Sequence, residues 1–413
     1  MIKISPFRAV RPTRDKVHLV ASRSYVSYTP AALSRKLTEN PFSFIHIINP
    51  EFGNERKSRK NSPERFEKVR EKYLSFLKDG ILMQDEKDCF YLYEQKTPEA
   101  AFTGIICGVS TQDYREGRIK KHEQTLTSRE ALFCSYLDIC GFNAEPVLLT
   151  YRENLAGLEA LFASVKIERP EYEFTTTDRV LHRIWLIESN EDLKLIKDRL
   201  SKVSCLYIAD GHHRMASSAL LSEKRSAENP EHSGNEVYNY TMAMVMPGKN
   251  LQISPFHRFL SGDFGISDTE LLEALESEYD ISKCSECFLP SGKRQFGMRL
   301  KDGWYQLNLK SYPGGSDAYS HLDAVILTRT ILEPVFKITD QKTDKRIRFV
   351  PGNKDLKKEV NAIKAGQGKA LFTMFHVSSG ELYAVSDQAQ TMPPKSTFIE
   401  PKLRSGLTIM NLK

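Results

Sequence analysis

Apolar and polar positions along the chain fall into two periods. Nearly continuous apolar runs at residues 17–21, 44–48, 90–93, 102–109, 146–151, 180–187, 203–208 and 238–246 predict buried strands. Apolar residues recurring every three or four positions predict helices at 30–37, 130–140, 155–167 and 191–200. The clearest helix follows Ser62-Pro63, a cap and a first-turn proline; Phe66, Val69, Tyr73, Phe76 and Leu77 then share one face as far as Gly80. Beyond Pro247 the pattern changes. A helix is expected at 268–279, a hairpin from 295–300 to 304–309, a loop at 313–316 and a long amphipathic helix at 321–336. A strand at 346–350, a helix at 355–365 and a strand at 370–376 follow. Strands and helices alternate irregularly, which predicts a mixed-sheet α+β (mixed α/β) protein and not a regular parallel barrel. We expect a catalytic core at 1–247 and a C-terminal α/β region at 248–413, whose tail returns to the active site. That tail, 392–406, is polar and weakly periodic, as a frayed terminus would be, but Phe398, Ile399, Leu403 and Leu407 give it something to bury.

One stretch organises the rest. The run at 203–208 leads directly into Asp210-Gly211-His212-His213-Arg214, and Met215 to Leu221 is good helix-forming sequence. Residues 210–214 therefore read as a tight strand-to-helix turn. Gly211 permits the bend. The open N–H groups of the helix start favour an anion, and Arg214 adds a planar fork that matches a phosphate. Asp210 would be repelled by a phosphate, which fits a role in holding Mg²⁺ or accepting a proton. Asp-Gly alone would be an ordinary capped turn. Two histidines and an arginine at the same helix start favour a ligand site.

A second stretch, Gly117 to Thr125, is dense in reactive groups. Glu123 is a candidate general base or metal ligand, His122 a candidate to orient it, and Lys120 or Lys121 a candidate to meet phosphate charge. An exposed charged loop is the plainer alternative.

Charge and composition narrow the classes. With 59 basic and 53 acidic residues among 413, the net charge of +6 is too mild to argue for nucleic acid. No apolar run is long enough to span a bilayer, and Met1 to Phe7 shows no signal-peptide core, so a cytoplasmic location is expected. Cys89, Cys107, Cys134, Cys140 and Cys205 sit in apolar runs and are expected as buried thiols. Cys284 and Cys287 form a C-x-x-C without the second pair a zinc site needs. The P-loop, the dinucleotide fingerprint, H-E-x-x-H, G-x-S-x-G and the protein-kinase signatures are all missing from the sequence.

The pentad at 210–214 matches the D-G-H-H-R signature of free L-serine kinases, which are built on the ParB/sulfiredoxin-like fold. The whole chain is similar to a widespread bacterial family of unknown function that shares this pentad. The same family shares Lys121-His122-Glu123, Thr343-Asp344-Lys345-Arg346 and the tail pattern Pro-Pro-Lys, Glu-Pro-Lys, Arg-Ser-Gly. The resemblance implies a ParB/sulfiredoxin-like core with large insertions and a C-terminal α/β extension. It implies a kinase that moves a phosphoryl group from ATP, or from ADP, to the hydroxyl of free L-serine or a similar small molecule. In that reading Glu123, Asp210 and His212 are catalytic. Gly211, His212, His213 and Arg214 hold the nucleotide with Lys121 and Lys395; His122, Lys402 and Arg404 hold the acceptor; and Asp210 holds Mg²⁺. No nucleic-acid or membrane partner is implied, and the oligomeric state stays open.

One departure stands out. Many members carry P-Y-D-V in the N-terminal loop, whereas this chain has Arg23-Ser24-Tyr25-Val26, without a carboxylate. Sulfiredoxins place a nucleophilic Cys where His212 stands, so that chemistry is not expected, and the DNA-binding helix-turn-helix of ParB proteins has no counterpart here. The alternatives are a nucleotide- or phosphate-binding regulator without catalysis, and a ParB-like nuclease or phosphodiesterase.

Overall fold

A computed structural model describes residues 1–311 and 314–413. Pro313, at the start of the loop expected at 313–316, lies outside the described residues. The chain forms two compact units: Met1–Leu251 with Pro401–Lys413, and Gln252–Glu400.

The first unit is built on a nine-stranded mixed sheet. Across it run Ile119–Lys120, Leu206–Asp210, Val147–Tyr151, Tyr240–Pro247, Ala101–Ser110, Phe90–Lys96, Leu181–Ile187 and Tyr172–Thr175, with Ile4–Ser5 added alongside Ala101–Ser110. Two pairings are parallel, Ile119–Lys120 with Leu206–Asp210 and Val147–Tyr151 with Tyr240–Pro247. Alternation along each strand sends Leu92, Ile105, Cys107, Leu149, Leu206, Ile208 and Val245 to one face. There Leu158 and Phe162 of the helix Ala156–Val165, and Ile196 and Leu200 of Asn190–Leu200, cover them. A second apolar cluster joins Phe66, Val69, Tyr73 and Phe76 of the helix Pro63–Lys78 to Phe44, Ile47, Phe142 and Ile409.

The second unit holds a six-stranded antiparallel sheet in the order Tyr279–Cys284, Gly303–Leu309, Gln295–Leu300, Ala370–Thr373, Phe256–Leu260, Ile347–Pro351. Leu260, Phe296, Met298 and Phe372 pack there against Leu327, Ile331, Leu332 and Phe336. Each unit sets helices against a sheet, so the architecture is mixed α/β, as the irregular alternation predicts.

Several elements differ from expectation for local reasons. Residues 17–21 and 44–48, expected as strands, are one-turn helices, Val17–Val20 and Ile45–Ile48. A five-residue apolar run is buried equally well in either form, and a side-chain-stabilised turn precedes the second run. Asn40 caps that turn by accepting from the Phe42 N–H at 3.0 Å. The helix expected at 268–279 stops at Leu275, and Tyr279 opens a strand instead. The long helix expected at 321–336 is α-helical only over Asp323–Leu327 and widens into a π-helical turn at Thr328–Leu332. Thr328 and Thr330 donate their hydroxyls to the Ala324 and Ile326 carbonyls at 2.6 and 2.8 Å, competing with the helical ladder, and Pro334 supplies no N–H to continue it. The helix Ser379–Asp387 was not anticipated, although Ser378 and Glu381 form a capping box that the sequence displays.

Cys89, Cys107, Cys134, Cys140 and Cys205 are buried free thiols, and Cys284 and Cys287 are unbridged. Among the described residues, no helix is long and apolar enough to cross a membrane.

Candidate functional site

Two neighbouring strands point the same way and end at the same edge. Leu206 stands opposite Ile119 and Tyr207 opposite Lys120 in a parallel pair, and the Leu206 N–H donates to the Arg118 carbonyl at 2.8 Å. Lys121-His122-Glu123 and Asp210 to Arg214 therefore leave the sheet side by side, at the carboxyl ends of their strands, where open α/β sheets place ligands.

The turn itself is tightly constrained. Pairing with Val147–Tyr151 is interrupted by a bulge between Ile208 and Asp210. Gly211 follows with φ +97°, and a Cβ there would stand 2.8 Å from Nε and Nη2 of Arg214. The backbone thus calls for glycine, and a Cβ would displace the Arg214 guanidinium. The helix His212–Glu228 starts at once, with the Met215 N–H closing on the Gly211 carbonyl at 3.0 Å. The N–H groups of His212, His213 and Arg214 head that helix, where the dipole favours an anion.

Asp210 is about one-third exposed (35%) and both its oxygens are engaged, Oδ2 by Arg214 Nη2 at 2.7 Å and Oδ1 by Lys402 Nζ at 2.7 Å. Burial pushes its pKa up, but Lys402 and Arg214 outweigh burial and hold it below the ordinary carboxylate value. Arg214 also donates Nη1 to Glu145 Oε1 at 2.6 Å and to the Pro146 carbonyl at 2.9 Å. Glu145 Oε2 in turn accepts from the Ser405 hydroxyl at 2.8 Å. The terminal nitrogens of Arg214, expected to grip a phosphate, are occupied by protein acceptors; in this structure Arg214 organises Asp210 and Glu145.

His122 and His212 form a buried pair. His212 Nδ1 lies 3.5 Å from Glu123 Oε2, and the rings of His122 and His212 meet edge-to-face at 4.6 Å. Burial lowers the His122 pKa to about 4 despite the pull of Asp210. Burial, then His122, His213 and Lys121, hold His212 well below its ordinary value. Both rings are neutral at pH 7. Nε2 of His212, Nδ1 of His213 and both ring nitrogens of His122 are buried without a hydrogen-bond partner. The Glu123 side chain, by contrast, is about half exposed (54%). Lys121 holds its ammonium 5.8 Å from the centre of the Tyr114 ring.

The tail residues separate. Lys402 reaches Asp210, whereas Arg404 is buried and donates Nη2 to both oxygens of Asp178 at 2.9 Å and to Thr176 Oγ1 at 3.2 Å. Arg404 therefore stands outside the Asp210–Arg214 network. Ser405 and Ser22 exchange backbone hydrogen bonds at 2.8 and 3.1 Å, tying the N-terminal loop to the tail. Lys395 belongs to the second unit, with Nζ 5.5 Å from the centre of the Phe256 ring. Glu145, Asp178 and Ser405 were not anticipated. Glu145-Pro146 immediately precedes the strand Val147–Tyr151 beside the central one, and that position was the available clue. Among the described residues, no three His, Cys, Asp or Glu side chains are arranged to hold a metal. Mg²⁺ takes one or two carboxylates when phosphates supply the remaining ligands, and both oxygens of Asp210, the carboxylate expected to hold it, are taken here by Arg214 and Lys402.

Fold and site together define a mixed α/β protein with a charged, histidine-rich strand edge at the mouth of a helix. Residues 4–330 match the family described as proteins of unknown function, DUF1015, and the chain belongs to that family. No curated relative matches the chain. Among solved structures it is similar to a free serine kinase in complex with AMP, at 12% identity over 75% of this chain and 91% of that one, with a TM-score of 0.36. It is also similar to C-terminally truncated SbnI from Staphylococcus aureus, at 13% identity over 74% and 87% of the two chains, TM-score 0.37. A conserved hypothetical protein from Pyrococcus furiosus matches at 13% identity over 75% and 95%, TM-score 0.33.

Proposed function

We propose that the chain is a small-molecule kinase of ParB/sulfiredoxin-like architecture, which transfers a phosphoryl group from ATP or ADP to the hydroxyl of free L-serine or a close analogue. The observation that supports it best is the juxtaposition of Glu123 with the first turn of the helix His212–Glu228, at 3.5 Å from His212. A carboxylate beside an anion-favouring helix start is the pairing that phosphoryl transfer to an alcohol requires. The acceptor class comes from the D-G-H-H-R resemblance.

In this mechanism the donor phosphates lie against the N–H groups at 212–214, with Lys121 offsetting their charge. Glu123 accepts the acceptor's hydroxyl proton as its oxygen bonds to the terminal phosphorus and the bridging P–O bond breaks. ADP leaves from ATP, or AMP from ADP. Such base catalysis contributes about 10²–10⁴-fold. His212, kept neutral by burial, stands with Nδ1 3.5 Å from Glu123 and limits where that carboxylate can turn. Arg214 acts through Asp210 and Glu145 by positioning them. Mg²⁺, when bound, would neutralise phosphate charge, and Asp210 would hold it. His122 and Lys402 would border the acceptor, while Arg404 shapes that border through Asp178. Lys395, whose ammonium lies over the Phe256 ring in the second unit, takes no part in this mechanism.

The test is phosphorus NMR of the purified chain with Mg²⁺, ATP or ADP, and each free amino acid. O-phosphoserine formed at a rate proportional to enzyme supports the reading; nucleotide left intact with every acceptor overturns it. A phosphate-binding regulator is the second reading. Its support is the N-terminal loop, where Val26 stands 88% exposed at the position for which the family resemblance implies a carboxylate.

A further inference from the structure

The second unit contains a buried cation without a counter-ion. Arg258 sits mid-strand in Phe256–Leu260, between Phe349 and Phe372 on the adjacent strands, and is 1% exposed. Strand alternation places it on the same face as Leu260, and Phe372 beside it belongs to the apolar core. Its guanidinium donates Nη1 to the Phe256 carbonyl and lies 5.1 Å from the centre of the Phe349 ring. Nε and Nη2 are both buried with no partner. Among the described residues, no carboxylate pairs with it. Burial lowers its pKa to about 10, so it remains charged at neutral pH.

The identity of the two open nitrogens matters. Nε–H and Nη2–H share one edge of the planar fork and run parallel, the spacing that meets two oxygens of one carboxylate or phosphate. A buried charge in an apolar core is unfavourable unless paired. Positive charge also marks the outer side, where exposed Lys395 lies over Phe256, the residue whose carbonyl orients Arg258. Arg404 shows the satisfied counterpart in this same chain, with Asp178 supplying two oxygens at 2.9 Å.

We propose that the unit Gln252–Glu400 is an oxyanion-binding module: the Nε/Nη2 edge of Arg258 receives the carboxylate or phosphate group of a small molecule, and Lys395 supplies the outer positive charge. This inference stands apart from phosphoryl transfer at Asp210–Arg214 and survives that reading's failure.

Calorimetric titration of the full chain with inorganic phosphate and with acetate, against chloride at matched ionic strength, tests it. The wild type should bind at least one of the two saturably. Arg258→Met, which keeps the volume and removes the fork, should weaken that binding at least about tenfold, with Arg258→Lys failing to restore it. Lys395→Ala, a surface change, should weaken it by about two- to threefold and keep the test readable should Arg258→Met fold poorly. Wild type binding neither anion above the chloride control would overturn the proposal. So would unchanged binding in a folded Arg258→Met variant.

Discussion

Lys402 places its ammonium 2.7 Å from the Asp210 carboxylate, joining residues 192 positions apart. The link ties the chain's last segment to the turn that heads the helix His212–Glu228. Lys402→Ala leaves Arg214 as the one cation known to pair with Asp210, so the Asp210 pKa rises. A depressed carboxylate adds stability above its unfolded pKa and loses it as pH falls through the folded value, here below 3.8. The variant should therefore begin acid unfolding at higher pH than the wild type, read by circular dichroism across an acid titration.

Arg214 bridges Asp210 and Glu145, at 2.7 and 2.6 Å. Arg214→Lys keeps the charge but cannot span both carboxylates. The expected loss is about 1–3 kcal/mol, measured by urea unfolding, with Ser405 released from Glu145 as the turn loosens.

Gly211→Ala meets two penalties, a left-handed backbone at φ +97° and a Cβ 2.8 Å from Arg214 Nε. A cost of about 1–2 kcal/mol is expected from the backbone alone. Movement of the Arg214 side chain should add a loss of nucleotide affinity, measured by titration calorimetry.

The strand–turn–helix at 206–214 was legible because its signals are local: an apolar run, a glycine that must bend, and helix-forming residues directly after. The placement of Glu123 beside it was not. That depends on a two-residue strand, Ile119–Lys120, pairing in parallel with a segment far along the chain, and neither period nor propensity encodes such a pairing. Lys121-His122-Glu123 and Asp210 to Arg214 stood out by chemistry, yet the partners that occupy Arg214 did not, since Glu145 carries no motif. Residues 44–48 show the other limit: Phe44, Ile45 and Ile47 had to be buried, and burial alone does not choose between helix and strand.

Burial holds the folded His122 pKa down at about 4, against 6.5 when exposed. Its neutral form is favoured by folding, so its contribution is complete above pH 6.5 and is lost as pH falls toward 4. The shift corresponds to about 3 kcal/mol. Urea-derived stability should decline across that window, and His122→Phe should flatten the profile.

The central claim is that Glu123 acts as the base at the Asp210–Arg214 turn. Glu123→Gln preserves shape and removes basicity. Turnover of serine with ATP or ADP, measured in parallel with nucleotide affinity, should fall at least about 10²-fold while affinity stays within about threefold. A Glu123→Gln variant with wild-type turnover would contradict the account.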